Sequence, residues 1–346
     1  MFTYLQNLSR LKRGNFMLSP RLAVYYVTMQ CNLNCTYCED FGARRNHQVT
    51  SAPPLADAKR ILEVIRTGMD RLWLTGGEPL LHPRLQDLLA YAHKDLKFRE
   101  ISLITNGTLL SQNLNLLPFL DRLIVSLDAV DPQALSQVSV PHHYVDMVIE
   151  NVRVAAFIQK PHNFKLSINA VITPETLPHM DKLLAFCIEN KLPISFSPQS
   201  VNNLPRYELV ISPEYRDFIE KVIQLKQQGA PILGSFSYLK VLLDQRPYEC
   251  YPTLIPRILP DGWLTYPCRP MEKASGEQGG CAVNLLNVQT WDAAWKIAAA
   301  RYGDVPTSCV SCFQQCYAEP SLMQARPFEY LSERLRGNDV SAYAPG

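Results

Sequence analysis

Ten cysteines stand in this 346-residue sequence, and their placement is uneven. Cys31, Cys35 and Cys38 run as C-x3-C-x2-C in TMQCNLNCTYCED. Cys187 stands alone, and Cys250, Cys268, Cys281, Cys309, Cys312 and Cys316 all come late. No signal-peptide core precedes them, because Arg10, Lys12 and Arg13 interrupt the apolar N-terminal residues. Thiols in such a chain point to a reducing, cytoplasmic setting, where metal binding or catalysis outweighs disulfide formation. Three thiolates on one loop suit three corners of a [4Fe-4S] cluster, whose usual count is four. The iron left without a protein ligand is then open to a substrate or cofactor. A tetrahedral zinc site more often shows two C-x2-C pairs or adjacent histidines. Only His47 lies near, so zinc is the weaker reading.

A second signal is Thr75-Gly76-Gly77-Glu78-Pro79. Two glycines let backbone approach a ligand closely, and Pro79 fixes the exit of the loop. Strand-end carbonyls beside Glu78 suit a cationic amino group.

These groups need elements to hold them. Residues 21–30 (RLAVYYVTMQ) are β-branched and aromatic and read as a first strand. Strands at 70–75, 100–105, 123–127, 165–172 and 194–197 then alternate with helical spacing at 55–67, 85–96, 144–158 and 177–190. Ser111 reads as the N-cap of a further helix. Six β/α units with short connections predict an α/β fold with a parallel sheet. Six do not close an eight-stranded barrel, so a partial (β/α)6 barrel is expected, with ligands at the C-terminal ends of its strands. Past Ser200 come helices at 212–228 and 235–244, then a segment rich in Pro, Gly and Cys with a hairpin at 258–267 turning on Asp261-Gly262. The expected division is a cap segment 1–20, a core 21–228 and a cysteine-rich domain 229–346. The cap reads as a short helix on the core; its alternative is a basic amphipathic helix in peripheral contact with a membrane.

CNLNCTYC and TGGEPLL, about forty residues apart on consecutive strand ends, together resemble the radical S-adenosylmethionine superfamily over roughly residues 20–200. The resemblance implies that Cys31, Cys35 and Cys38 hold a [4Fe-4S] cluster whose open iron chelates S-adenosylmethionine. It implies reductive cleavage to methionine and a 5′-deoxyadenosyl radical, with an electron donor such as flavodoxin or ferredoxin. It places Tyr37 near the adenine, and Gly76, Gly77 and Glu78 against the methionine amino group. Thr105, Asn106, Ser126, Asp128 and Asn169, at or near strand ends, are implied contacts of the ribose or carboxylate. Turn formation and barrel packing are the competing roles for Asn106, Asp128 and Asn169.

The late cysteines flank the predicted hairpin and end in SCVSCFQQCYAE. This resembles the auxiliary-cluster domain called SPASM, or its shorter form, twitch. The tight group here has three cysteines where the full pattern has four. Two auxiliary clusters need about eight thiolates, so one auxiliary [4Fe-4S] cluster is expected. Cys250, Cys268, Cys309, Cys312 and Cys316 are its candidates, one more than it needs. Cys281 is a substitute or a buried thiol, and a structural zinc is the competing occupant. Cys187, among apolar residues, reads as core.

Apolar residues make up 47% of the chain, which excludes a disordered protein. Thirty-four basic against 32 acidic residues leave +2, which gives no charge-based case for nucleic acid. No apolar run is long enough to span a bilayer. The expected substrate is a small molecule modified at an unactivated C–H or unsaturated position. About 20 residues precede the first strand, too few for a domain gripping a leader peptide. Modification of a peptide side chain is the alternative, and a non-enzymatic iron–sulfur carrier is the further one. The substrate is expected between barrel mouth and cysteine-rich segment. Phe236, Tyr238, Tyr248, Tyr251 and Trp263 are candidate walls there, with core packing the competing role.

Overall fold

The computed structural model describes residues 2–15, 17–38, 52–201, 204–273, 280–303 and 312–336. Six strands, β1 (Ala23–Thr28), β2 (Arg71–Gly76), β3 (Glu100–Thr105), β4 (Arg122–Ser126), β5 (Lys165–Ile172) and β6 (Ile194–Pro198), lie side by side in chain order. All five pairings are parallel. A parallel sheet buried on both faces needs apolar residues in succession, and every residue of β1 is buried. Side chains alternate between the faces. Tyr25, Leu72, Leu74, Leu103 and Leu123 pack outward under the helices. Val24, Tyr26, Trp73 and Ile124 turn the other way, into a second cluster with Leu22 and Leu254.

The barrel stays open, as six units require. After β6 the chain makes a minimal antiparallel pair, β7 (Ser200–Val201) with β8 (Leu204–Pro205). The cysteine-rich segment then returns to the other edge. β9 (Arg257–Ile258) pairs in parallel with β1, and β10 (Trp263–Tyr266) and β11 (Gly280–Asn284) follow antiparallel. The result is one sheet of nine strands in the order β11-β10-β9-β1-β2-β3-β4-β5-β6. The β9–β10 turn falls at Gly262, whose φ of +90° suits glycine and whose amide donates to Leu259 O.

The helices mostly match their spacing. Leu55–Arg66 is helical, and Ser212 and Ser235 cap Pro213–Gln227 and Phe236–Asp244 by accepting from Tyr215 N and Tyr238 N. Ser111 is not an N-cap. It lies inside the short 3-10 turn Leu110–Gln112, and Pro118 restricts the next stretch, Leu114–Phe119, to a second 3-10 segment. The predicted helix 85–96 is α only to Ala90, then passes into a π turn. The first helix, Phe2–Lys12, caps the body: Tyr4 Oη donates to Met323 O, and Asn7 exchanges two hydrogen bonds with the Ser19 backbone. Among the described residues no helix is long and apolar enough to cross a membrane.

Candidate active site

The cysteine loop leaves β1 at Thr28 and is pinned where it starts. Gly77 N donates to Thr28 O and Glu78 N to Gln30 O. A Cβ on Gly76 would fall 2.2 Å from Thr28 O, and one on Gly77 would fall 2.0 Å from Gln30 O. The glycine pair is therefore required by this chain-to-chain approach, whatever else it contacts. Cys31, Cys35 and Cys38 are half-buried and border a hollow of about 190 Å³. Tyr37, Gly76, Gly77, Thr105, Asn106, Ser126 and Asp128 complete most of its wall. Ten of the expected site residues thus converge on one place. Among the described residues no three His, Cys, Asp or Glu side chains converge as ligands of one ion would. Burial pushes the Cys31 thiol up to about 11 and Cys35 up to about 12. Ligation by a cationic centre offsets that penalty and holds thiols as thiolates, so this donor set fits iron–sulfur binding.

Glu78 does not border this hollow. Its carboxylate is fully buried and accepts from Thr105 Oγ1 at 2.6 Å, Asn106 N at 2.7 Å and Leu80 N at 3.0 Å. It splices the end of β2 to the end of β3. Burial pushes its carboxyl up to about 7, with the Thr105, Asn106 and Leu80 donors pulling it back. Asn106 continues the splice into the cysteine loop, since its Nδ2 donates to Asn32 Oδ1 at 2.9 Å. Its Oδ1 accepts from Thr108 N, so the turn role and the site position coexist. Tyr144, unmarked by any motif, donates to both Asn106 O and Ser126 O at 2.9 Å and ties β3 to β4.

A larger cavity of about 360 Å³ adjoins the hollow. Tyr37, Cys38, Thr75, Gly76, Ile104 and Val171 border both. These shared residues place the cysteine loop beside the cavity that Arg257, Arg269 and Cys316 of the late segment also border. Asn169 lies in this larger cavity, where its Oδ1 accepts from Ser195 Oγ at 3.0 Å. More of the lining is apolar than polar, with Val24, Trp73, Ile104 and Ile124 on the barrel side, and its polar groups are Ser167, Ser197 and Gln199 from the strand ends and Arg257 and Arg269 from the late segment. No Asp or Glu is among its described lining residues. Phe236, Tyr238, Tyr248, Tyr251 and Trp263 do not border it. Tyr238 and Tyr248 are packed inside and donate to backbone carbonyls, Tyr238 to Phe196 O and Phe313 O, Tyr248 to Cys312 O. Arg257 and Arg269 carried no sequence signal, because a lone arginine in a loop-rich segment has no local pattern.

The late thiols sort themselves. Cys268 and Cys312 pack with Tyr317 in a small buried cluster, and Cys250, Cys316 and Met271 close around it. The helix Gln315–Ala325 supplies Cys316, and the end of β10 delivers Cys268. Cys281 lies apart on β11, opposite Thr265, with its carbonyl accepting from Arg301. Cys309 lies outside the described residues. Cys187 is core, fully buried, with its thiol pushed up to about 12 by burial alone.

Comparison with known proteins agrees with this geometry. A family model described as the radical SAM superfamily matches residues 25–187. The "Probable GTP 3',8-cyclase" of Methanopyrus kandleri is 34% identical over 161 residues, covering 46% of this chain and 50% of that protein. The "GTP 3',8-cyclase" of Mycobacterium marinum is 34% identical over 171 residues, covering 47% and 46% respectively. The chain thus spans about half the length of these curated relatives. A solved structure of histidine-tagged anSMEcpe with bound AdoMet aligns over 91% of this chain and 96% of its own, with a TM-score of 0.62. At 15% identity that is a likeness of fold, and it extends well beyond the matched domain. Motif, barrel and thiol-bordered hollow coincide in residues 25–187, the part of this chain that matches the radical SAM superfamily.

Proposed function

We propose that this chain is a radical SAM enzyme that modifies a small molecule carrying an anionic group. One observation carries the reading: the thiol-bordered hollow shares its lining with a cavity that Arg269 borders and that has no carboxylate among its described lining residues. When bound, the [4Fe-4S] cluster supplies the electron that cleaves S-adenosylmethionine to methionine and a 5′-deoxyadenosyl radical. Cys31, Cys35 and Cys38 would hold that cluster. Thr105, Asn106, Ser126 and Asp128 would border S-adenosylmethionine, and Tyr37, Cys38 and Gly76 would form its boundary with the substrate. The cavity volume of about 360 Å³ lies within the range of small-molecule sites, roughly 300–1,000 Å³. The Arg269 fork suits carboxylate or phosphate, whereas both arms of Arg257 go to Tyr26 and Cys316. The relatives' names refer to GTP, an anion, which agrees with an arginine in the lining. The thiols around Tyr317 would hold one auxiliary [4Fe-4S] cluster at the far side of the cavity.

The test is anaerobic reconstitution of the full chain, reduction with dithionite, and measurement of methionine and 5′-deoxyadenosine. Formation of both is expected, with faster turnover when GTP is added as an anionic probe and loss of that stimulation in Arg269→Ala. A fully loaded, reduced protein that forms neither product is an electron carrier. Stimulation by an uncharged peptide and not by anions would overturn the small-anion reading.

A further inference from the structure

Arg257 is a half-buried cation with an unusual set of neighbours. Strand pairing sets its place: β9 lies against β1 with Arg257 opposite Val24. One terminal nitrogen donates to the Tyr26 hydroxyl and the other to Cys316 Sγ. The guanidinium carbon sits 5.0 Å from the centre of the Tyr317 ring and 6.0 Å from that of Tyr26. Its Nε is sealed from solvent without a hydrogen-bond partner. Among the described residues no carboxylate forms an ion pair with it. A desolvated cation without a counter-charge is destabilising, so this position calls for an anion. The thiol of Cys316 supplies one once it is deprotonated, as ligation requires.

We infer that Arg257 is a positioning residue for the auxiliary cluster, orienting Cys316 through a charge-assisted hydrogen bond and holding that cluster at a raised reduction potential. The inference rests on the proposed auxiliary cluster and adds a role that the cysteine pattern does not specify. Hydrogen bonds to cluster sulfurs and nearby charge set such potentials, and a cation favours the more negative, reduced state. Tyr26 holds the other arm of the fork, so it fixes the direction in which the guanidinium presents itself to Cys316. Because Arg257 and Tyr26 both border the large cavity, the residue that sets the cluster also faces the substrate space.

The experiment is a reductive titration followed by electron paramagnetic resonance. It uses the full chain carrying Cys31→Ala, Cys35→Ala and Cys38→Ala, so that only the auxiliary cluster reports. Arg257→Met is expected to shift the oxidised-to-reduced ratio at fixed potential at least tenfold toward oxidised, about 59 mV for a one-electron couple. Arg257→Lys keeps the charge without the fork and should shift it less. Tyr26→Phe should move it in the same direction, and this variant and Arg257→Lys decide the matter if Arg257→Met fails to fold. A triple-cysteine variant that binds no iron removes the auxiliary cluster, and this inference with it. About four irons bound, with a midpoint unchanged in Arg257→Lys and Tyr26→Phe, overturns the role of Arg257 while leaving the cluster standing.

Discussion

The Tyr37 hydroxyl donates to the Asp128 carboxylate across 91 positions of sequence and fastens the cysteine loop to the chain just beyond β4. Asp128 is buried, and its other oxygen accepts from Val171 N at 2.7 Å, which brings in β5. Burial pushes the Asp128 carboxyl up to about 6, with the Tyr37 and Val171 donors pulling it back down. Both residues border the hollow, yet each spends a polar atom on the other.

Tyr37→Phe removes one donor from a buried carboxylate. The expected loss of stability is about 1–3 kcal/mol, read from urea unfolding of the apoprotein. The loosened loop should also release iron faster on chelator challenge. Unchanged unfolding and unchanged iron release would show that the bond is incidental to the loop.

Glu78 predicts a pH dependence of stability. Its folded-state carboxyl titrates near 7 against an ordinary value of 4.5. Between those values the folded state alone keeps the proton, so stability falls as pH rises through the window and levels off above it. The full drop is about 3 kcal/mol. Glu78→Gln should lose less stability than the parent between pH 5 and 7.5, a window in which Asp128 titrates in both proteins alike. Comparing the two proteins cancels other groups, among them His82, whose burial gives an opposite slope. Parallel stability curves for parent and variant would contradict this.

Gly77 tests whether its glycine serves the chain or the ligand. A Cβ there would fall 2.0 Å from Gln30 O and 2.9 Å from Cys31 N, both backbone atoms. Gly77→Ala should destabilise the apoprotein by about 3 kcal/mol or more and displace the loop that bears Cys31. A variant as stable as the parent that only binds S-adenosylmethionine more weakly would assign the glycine to ligand approach.

The sorting of the late thiols predicts iron counts. The reconstituted full chain should hold about eight irons, four per cluster. Cys281→Ser should keep them all, because that thiol lies on β11 away from the Tyr317 cluster. Cys268→Ser should lose about four and leave the first cluster intact. Iron and sulfide analysis checks both, and the reverse pattern would place Cys281 in the ligand set.

Much of this molecule was written in local pattern. β3 and β5 occupy the predicted spans, 100–105 and 165–172, because β-branched runs bounded by turns hold their own limits. Cys31, Cys35 and Cys38 needed only a loop of eight residues to border one hollow. The 3-10 turns near Ser111 escaped that reading because Pro118 and tertiary packing override a capping signal. Longer reach was decided by folding alone. Glu78 turns inward because three donors from β3 and its own loop outcompete solvent for its carboxylate. Cys250 and Cys268 meet Cys312 and Cys316 because β9 completes the open edge of β1 and carries the late segment back over the barrel. That same pairing puts Arg257 beside Tyr26, 231 positions away, and Cys316, 59 positions away. Periodicity and spacing encode neighbours along a strand or helix. They say nothing of which side chain will share a cavity with which, because that depends on where an unpaired sheet edge finds its partner.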